Sequence, residues 1–124
     1  MESVTIAGDV MLSRVIYGTR RLAEDASHAP AHVQAKIETC LAQGVTSVET
    51  SSVYGRGAAA LLLGDALRGA PGLRDRIEIV LKVGQITPDG PERARLRYSD
   101  CSPATVIAAV DAALADLGTD RIDL

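Results

Sequence analysis

The sequence predicts an α/β protein whose strands form a parallel sheet. Three observations support this fold class: short β-branched runs alternate with longer segments of helical spacing, glycine or proline marks their boundaries, and two apolar runs around a Gly-Asp pair open the chain. Strands that alternate with helices of this length are typical of βαβ units, in which the strands run parallel. An open flavodoxin-like sheet and a segment of a closed barrel both fit, and periodicity alone does not choose between them.

The N-terminal residues predict a hairpin, a strand and a loop. Residues 4–7 and 10–12 flank Gly8-Asp9 and form the predicted β-hairpin. Residues 13–17 are predicted to be the next strand, which ends in a turn, and residues 22–29 are predicted to be a polar loop.

Two helices follow, separated by a strand. Pro30 suits the first position of the first helix, and Gly44 suits its C-terminal cap. The apolar face of this helix consists of Val33, Ile37, Cys40 and Leu41. Residues 45–50 are a β-branched run that predicts a strand, and residues 51–57 a loop. The second helix ends near Gly69, and its apolar positions are Leu62, Leu63, Ala66 and Leu67.

The remaining residues predict one more strand and helix, and the beginning of a further strand. Residues 77–83 form an apolar run typical of a buried strand, and residues 87–100 read as a long solvated loop. Ser102-Pro103 is a typical N-cap followed by proline at the first helical position, and Gly118 closes the helix. Residues 121–124 predict the opening of another strand.

Composition and charge argue against several classes of function. The net charge is −3 and no basic stripe is present, so no nucleic-acid partner is expected. The sequence has no apolar run long enough to predict a membrane span, and no basic N-terminal region that would predict a signal peptide. A cytoplasmic location is therefore expected. Cys40 and Cys101 predict reduced thiols, and His28 and His32 lack a third ligand, so no metal is expected. Residues 1–124 show no internal domain boundary.

Functional side chains of a parallel sheet gather at the carboxyl ends of its strands. Three places qualify here, namely residues 18–20, residues 49–55 and Lys82. An unpaired lysine at the end of a buried strand is costly, so Lys82 either pairs within a site or ends the strand in solvent. Gly55 and Gly57 form a Gly-x-Gly without the third glycine of a dinucleotide fingerprint.

Four motifs in register resemble those of the aldo-keto reductases. They are residues 48–55 (Val-Glu-Thr-Ser-Ser-Val-Tyr-Gly), 63–67 (Leu-Gly-Asp-Ala-Leu), 79–82 (Ile-Val-Leu-Lys) and 117–124 (Leu-Gly-Thr-Asp-Arg-Ile-Asp-Leu). The first of them resembles the family's Phe-Asp-Thr-Ala-Asp-x-Tyr-Gly. An Ala-Pro-x-Leu-Arg-x-Arg link at residues 70–76 is similar to that of bacterial YdhF-type oxidoreductases.

The resemblance implies a partial (β/α)8 TIM barrel, in which an N-terminal hairpin precedes about four β/α units. It also implies NADPH-dependent reduction of an aldehyde or ketone. By resemblance, Tyr54 is the general acid, Lys82 lowers its pKa from the usual value near 10, and Glu49 holds the lysine. The cofactor-binding residues that the resemblance implies are Gly18, Thr19 and Arg20.

The sequence departs from the family's pattern in three places. Glu49 stands where an aspartate is usual, and residues 58–60 (Ala-Ala-Ala) replace an acid at the start of the second helix. The family's catalytic histidine and phosphate site would follow Leu124. The chain is therefore expected to be truncated before that histidine, and to self-associate or pair with the missing C-terminal half of the barrel.

Two other functions remain open from the sequence. One is a non-catalytic half-barrel or pseudoenzyme that acts as an assembly module. The other is a barrel enzyme in which Lys82 forms a Schiff base with a carbonyl substrate. Tyr17 and Tyr98 are expected only to pack, and a solvated loop is expected to hold Arg93, Arg95 and Arg97.

Overall fold

The computed structural model describes residues 2–88 and 97–124. The chain opens with an antiparallel hairpin of β1 (Ser3–Ala7) and β2 (Val10–Ser13), and Gly8 takes a left-handed φ of 56° at the turn. A bulge lies between Thr5 and Ala7, and all five residues of β1 are exposed. The predicted hairpin is therefore present, and it lies outside the parallel sheet.

Three parallel strands form the central sheet. They are β3 (Ile16–Gly18), β4 (Ser47–Ser51) and β5 (Glu78–Lys82), and they lie side by side in chain order. Residues 121–124 lie beside β5, where a fourth strand would be. The Leu124 carbonyl accepts a hydrogen bond from the Leu81 amide at 2.8 Å. Residues 121–124 therefore pair with β5 as expected, but they do not form a regular strand.

Three long helices of the described chain cover one face of this sheet. They are α1 (Pro30–Ala42), α2 (Ala58–Arg68) and α3 (Pro103–Leu117), and each packs against the next. A doubly wound sheet has helices on both faces and reverses its strand order, so strands in chain order under one helical layer indicate a barrel arc. None of the helices in the described part of the chain has both the length and the apolar character that crossing a bilayer requires.

The core between helices and sheet is aliphatic. Its fully buried side chains include Val33, Ile37, Val48, Leu63, Ile79 and Leu117. At Gly64 the helices α2 and α3 approach so closely that an added Cβ would lie 2.1 Å from the Asp116 carbonyl oxygen. The predicted helix ends are also present: the Ser102 hydroxyl accepts from the Thr105 amide at 3.4 Å, and Gly118 takes a φ of 63°.

The predicted strand at residues 13–17 is wrong in its extent. Ser13 instead ends β2, and its hydroxyl accepts from the amides of Thr46 and Ser47 at 3.1 and 3.0 Å. The same hydroxyl donates to the Val15 carbonyl, which closes a bend before β3 begins at Ile16. These side-chain contacts join the hairpin to the start of β4, and strand periodicity does not reveal them.

Three predicted loops contain short regular segments. Leu22–Glu24 is a short 3-10 segment in which Leu22 is buried, and Tyr54–Gly57 is a tight turn with left-handed backbone at Gly55 and Arg56. The strand β6 (Gln85–Ile86) pairs antiparallel with β7 (Tyr98–Ser99), so the predicted loop at residues 87–100 is partly a strand. Residues 89–96 of that loop, which include Arg93 and Arg95, lie outside the described residues.

Candidate active site

Alternation along the strands places Glu49 and Lys82 on the face away from the helices. Val48 and Thr50 are fully buried, and Val48 and Ile79 belong to the core under the helices. Because successive side chains of a strand point to opposite faces, Glu49 and Lys82 lie on the open face at the carboxyl end of the sheet. The strand register supports this placement, because Val48 pairs with Ile79 and both side chains lie in the core under the helices.

The structure brings Glu49, Tyr54 and Lys82 together. The Tyr54 hydroxyl donates to Oε1 of Glu49 at 2.9 Å, and Nζ of Lys82 lies 3.1 Å from the same oxygen. Nζ also lies 4.9 Å from the centre of the Tyr54 ring. One carboxylate oxygen therefore holds both a phenol and an ammonium group.

The electrostatics of this cluster favour a charged lysine. The Tyr54 hydroxyl and then the Glu49 carboxylate raise the pKa of Lys82 above its ordinary value, and partial burial opposes them. Lys82 is therefore an ammonium group at neutral pH, held between the Glu49 carboxylate and the Tyr54 side chain.

A left-handed turn after β4 positions Tyr54. Gly55, Arg56 and Gly57 have φ values of 57°, 59° and 92° in succession. An added Cβ on Gly55 would lie 2.5 Å from the Cβ of Ala23, so glycine alone lets this turn pack against the Leu22–Glu24 segment. Arg56 adopts the same backbone region at a cost of roughly 1–2 kcal/mol for a residue with a side chain.

The three residues expected to bind the cofactor lie in different environments. Gly18 pairs with Glu49, and an added Cβ would lie 3.4 Å from Oε2 of that carboxylate. Thr19 is fully buried, its hydroxyl donates to the Thr50 hydroxyl at 3.0 Å, and its amide donates to the Glu49 carbonyl at 2.9 Å. Arg20 is exposed and lines the cavity described next. Gly18 and Arg20 thus face the site, and Thr19 fixes the neighbouring strand ends.

A cavity of about 440 Å³ opens beside the Tyr54 side chain. Sequence reasoning singled out only a few of its lining residues, namely Arg20, Tyr54, Gly55 and Lys82. Glu24, Arg56, Gln85, Thr87 and Arg97 line it as well. The one signal in the sequence for Arg56 was its place between the two glycines of the Gly-x-Gly. Arg97, which was expected in a solvated loop, is exposed but reaches the cavity.

The histidines near the N-terminus of α1 make local contacts. Nε2 of His28 lies 3.0 Å from the Ala23 carbonyl oxygen, and Nε2 of His32 lies 3.5 Å from the Asp25 carboxylate. Within residues 2–88 and 97–124, no group of three or more metal-binding side chains gathers. Cys40 and Cys101 are free thiols, and burial raises the pKa of Cys40.

Comparison with known proteins finds one family and several similar proteins. Residues 14–124 match the profile described as "Aldo/keto reductase family". Over 125 residues the chain is 45% identical to "6-dehydroglucose reductase" of Agrobacterium fabrum, and the match covers 100% of this chain and 42% of that protein. It is 34% identical to "Oxidoreductase YdhF" of Escherichia coli, again covering 100% of this chain and 41% of that protein.

A solved structure shows the same architecture. The glycerol dehydrogenase AKR11B4 from Gluconobacter oxydans matches with a TM-score of 0.76 and 26% identity, over 97% of this chain and 37% of that one. The chain thus spans about two fifths of the length of the curated relatives it matches. Because this chain covers only part of that larger protein, one face and the edges of its sheet arc are left open.

Proposed function

The chain belongs to the aldo/keto reductase family, and from that premise we propose that it carries the proton-donating site of an NADPH-dependent reductase of aldehydes or ketones. The observation that supports the proposal is the single oxygen of Glu49 that binds both the Tyr54 hydroxyl and the Lys82 ammonium group. A phenol beside a fixed ammonium group is suited to give a proton to a carbonyl oxygen.

In the proposed reaction Tyr54 is the general acid. When bound, NADPH would supply the hydride that the carbonyl carbon accepts, and Gly18, Thr19 and Arg20 would hold its nicotinamide side. Tyr54 gives its proton to the carbonyl oxygen, so the product is an alcohol, and the ammonium group of Lys82 stabilises the phenolate. A proton from water then restores the tyrosine. Glu49 keeps Lys82 in place and also orients the hydroxyl of Tyr54.

The residues beside Glu49 suit a flat cofactor ring. Gly18 contributes no side chain to the open face, and a Cβ there would enter the space beside Oε2 of Glu49. Arg20 lies at the rim of the same space, and buried Thr19 holds the ends of β3 and β4 together. We assign the nicotinamide side of NADPH to Gly18, Thr19 and Arg20 on this basis.

The proposed substrate is a small carbonyl compound. The Agrobacterium relative is named for the reduction of 6-dehydroglucose, and the cavity beside Tyr54 has the size of a small-molecule site. Nucleic acid and membrane are not proposed as partners. The proposed location is the cytoplasm, and the free thiols of Cys40 and Cys101 are in keeping with it.

A second part of the proposal concerns the open face of the sheet arc. Ile16 and Leu124 lie at its two edges and are 41% and 51% exposed, and Ile107 on α3 is 61% exposed. We propose that the remaining strands of a barrel, or a second copy of the chain, cover these apolar side chains. Size-exclusion chromatography with light scattering is expected to show association, and a stable monomer contradicts it.

The catalytic proposal is tested by the loss of NADPH absorbance with an aldehyde, alongside a fluorescence titration of NADPH binding. Tyr54→Phe is expected to lower hydride transfer by about 10²–10⁴-fold, the usual share of a general acid, while NADPH affinity stays the same. Tyr98→Phe is the matched control, because Tyr98 is exposed on β7. Equal rates in Tyr54→Phe and the parent would overturn the proposal.

One competing function is favoured by the exposed apolar side chains of the arc. A non-catalytic half-barrel that acts as an assembly module needs those surfaces but needs neither NADPH nor Tyr54. Failure of the chain to bind NADPH, together with association in solution, would support this alternative. Borohydride trapping of a substrate on Lys82 would instead support a Schiff-base enzyme.

A further inference from the structure

The arginines of this chain fall into two groups by their partners. Within residues 2–88 and 97–124, five arginines lie within ion-pair distance of a carboxylate: Arg14, Arg68, Arg74, Arg76 and Arg121. Arg20, Arg21 and Arg56 form no such pair with any carboxylate of that part of the chain. Arg20 and Arg56 line the cavity beside Tyr54, and Arg21 does not.

The guanidinium groups reach the cavity from separate segments. Arg20 follows β3, Arg56 lies in the turn after β4, and Arg97 directly precedes β7. Glu24 is the one carboxylate among the lining residues of the described chain, and Lys82 is paired with Glu49 beneath them. Among the described residues, the cavity wall therefore carries a net positive charge, with four cationic side chains and one carboxylate.

The backbone at Arg56 is strained. It is the one residue other than glycine with a positive φ in the described part of the chain. Such conformations cost of order 1–3 kcal/mol and gather at ligand-binding sites. Glycine at this position would remove the strain, so the strain marks Arg56 as a candidate ligand-binding residue.

We propose that this cavity binds an anionic group, such as a phosphate, carboxylate or sulfonate, that is carried by the carbonyl substrate itself. Arg56 and Arg20 are its principal ligands, and Arg97 adds to their field. A guanidinium group binds such anions through two parallel hydrogen bonds, which sets orientation as well as affinity. The inference rests on the proposed function, because it places the carbonyl of the same molecule at Tyr54.

Position assigns the anion to the substrate rather than to the cofactor. The arginines share one small cavity with the Tyr54 side chain, which is the proposed proton donor. The adenosine phosphate of NADPH lies at the opposite end of that molecule from its reacting ring. We therefore assign an anion bound beside Tyr54 to the molecule that takes the proton, and the arginine that decides this is Arg56, which is not among the residues assigned to the nicotinamide.

The proposal is tested by adding small-molecule probes to the ¹⁵N-labelled chain and measuring the Nε–Hε signals of its arginines by NMR spectroscopy. The probes are glycerol 3-phosphate and glycerol, which share hydroxyl groups and differ in the anion. Glycerol 3-phosphate is expected to shift the signals of Arg20 and Arg56 and to bind at least about 10-fold more tightly than glycerol. Arg56→Gln is expected to weaken this binding by about 5-fold or more, and the matched control Arg21→Gln to leave it unchanged.

A second variant separates charge from folding. Arg56→Gly removes both the guanidinium group and the backbone strain, so it is expected to melt at a higher temperature than the parent and still lose the affinity for glycerol 3-phosphate. Equal affinity in Arg56→Gly and the parent would overturn the proposal. So would the absence of binding by the parent, equal binding of glycerol, or equal losses in Arg56→Gln and Arg21→Gln.

The cofactor is tested as the other source of the anion. Adenosine 2′-monophosphate is expected to leave the Arg56 signal unchanged, and displacement of glycerol 3-phosphate by it would assign the cavity to NADPH and overturn the proposal. These titrations use no NADPH and no turnover. Their failure is therefore distinguishable from failure of the hydride-transfer experiment.

Discussion

The two ends of the parallel sheet each place a glutamate on the open face, and the two glutamates have different partners. At the amino end, Glu78 accepts hydrogen bonds from the Thr46 and Ser47 hydroxyls at 2.6 and 2.9 Å. At the carboxyl end, Glu49 binds the phenol of Tyr54 and the ammonium group of Lys82. The aliphatic hydroxyls of Thr46 and Ser47 do not ionise in proteins, whereas a phenol and an ammonium group are acid–base groups.

The surroundings of the two glutamates differ in the same way. Ser13 and Ser47 near Glu78 are buried and hydrogen-bonded to each other's strands, so the amino end is closed by the hairpin. The carboxyl end opens into a cavity with cationic walls. We therefore expect the Glu78 carboxylate, which binds internal hydroxyls, to stabilise the fold, and the Glu49 carboxylate, whose partners border a cavity, to act in the proposed reaction.

Removal of the ammonium group is expected to have the largest effect at the carboxyl end. Lys82→Met keeps the aliphatic stem and removes the charge that stabilises the phenolate. Hydride transfer is expected to fall by about 100-fold, or about 2.7 kcal/mol in the activation free energy, with little change in the melting temperature. The matched control is Lys36→Met, which breaks an ion pair with Asp25 away from the cavity. An equal fall in Lys36→Met would show that the effect is general.

A methyl group in the turn beside Tyr54 is expected to have the next largest effect. In Gly55→Ala the new Cβ would meet Ala23 at 2.5 Å while the backbone keeps a φ of 57°. We expect the free energy of unfolding to fall by about 1–3 kcal/mol, and hydride transfer to fall as well because Tyr54 shifts. Gly72→Ala is the control, since its φ is 86° and no atom lies within 4 Å of an added Cβ. Chemical denaturation should show the smaller loss in Gly72→Ala, and equal losses would remove the role assigned to Ala23.

The smallest effect concerns the pKa of Lys82. Tyr54 and Glu49 raise this pKa above its ordinary value of 10.5, so the stabilisation they give is complete below that pH and is lost as the pH rises through the higher value of the folded state. Glu49→Gln is expected to move the pKa of Lys82 down toward 10.5. NMR titration of the lysine ε-carbon measures the shift, and an unchanged pKa contradicts the contact with Glu49.

Local rules in the sequence predicted the helices of this fold better than its short strands. Pro30, Ser102 and Gly118 mark helix ends through interactions within a few residues, so the helices begin and end near their predicted positions. The strands β6 and β7 have two residues each, which is too short for any periodicity to be read. Ser13 joins the hairpin to β4 through contacts across more than 30 residues, which a local pattern does not contain.

The candidate site shows the same limit. The family resemblance singled out Glu49, Tyr54 and Lys82. The parallel register explains why Glu49 and Lys82 meet, and the turn after β4 brings Tyr54 to them. The cationic cavity could not be predicted, because it depends on the left-handed backbone of Arg56 and on the pairing that brings Arg97 close. The positive φ of a residue other than glycine cannot be read from the residue itself. At Arg56 the two flanking glycines are the sequence feature that indicates it.

The central claim is that one end of the sheet is structural and the other catalytic, and Glu78→Ala and Glu49→Ala measured side by side test it most directly. Glu78→Ala is expected to lower the free energy of unfolding by about 1–3 kcal/mol and to leave hydride transfer per folded molecule unchanged. Glu49→Ala is expected to cost less than about 1 kcal/mol, since Lys82 is largely exposed, and to lower hydride transfer at least about 10-fold. Parallel losses of stability and rate in both variants would contradict the claim.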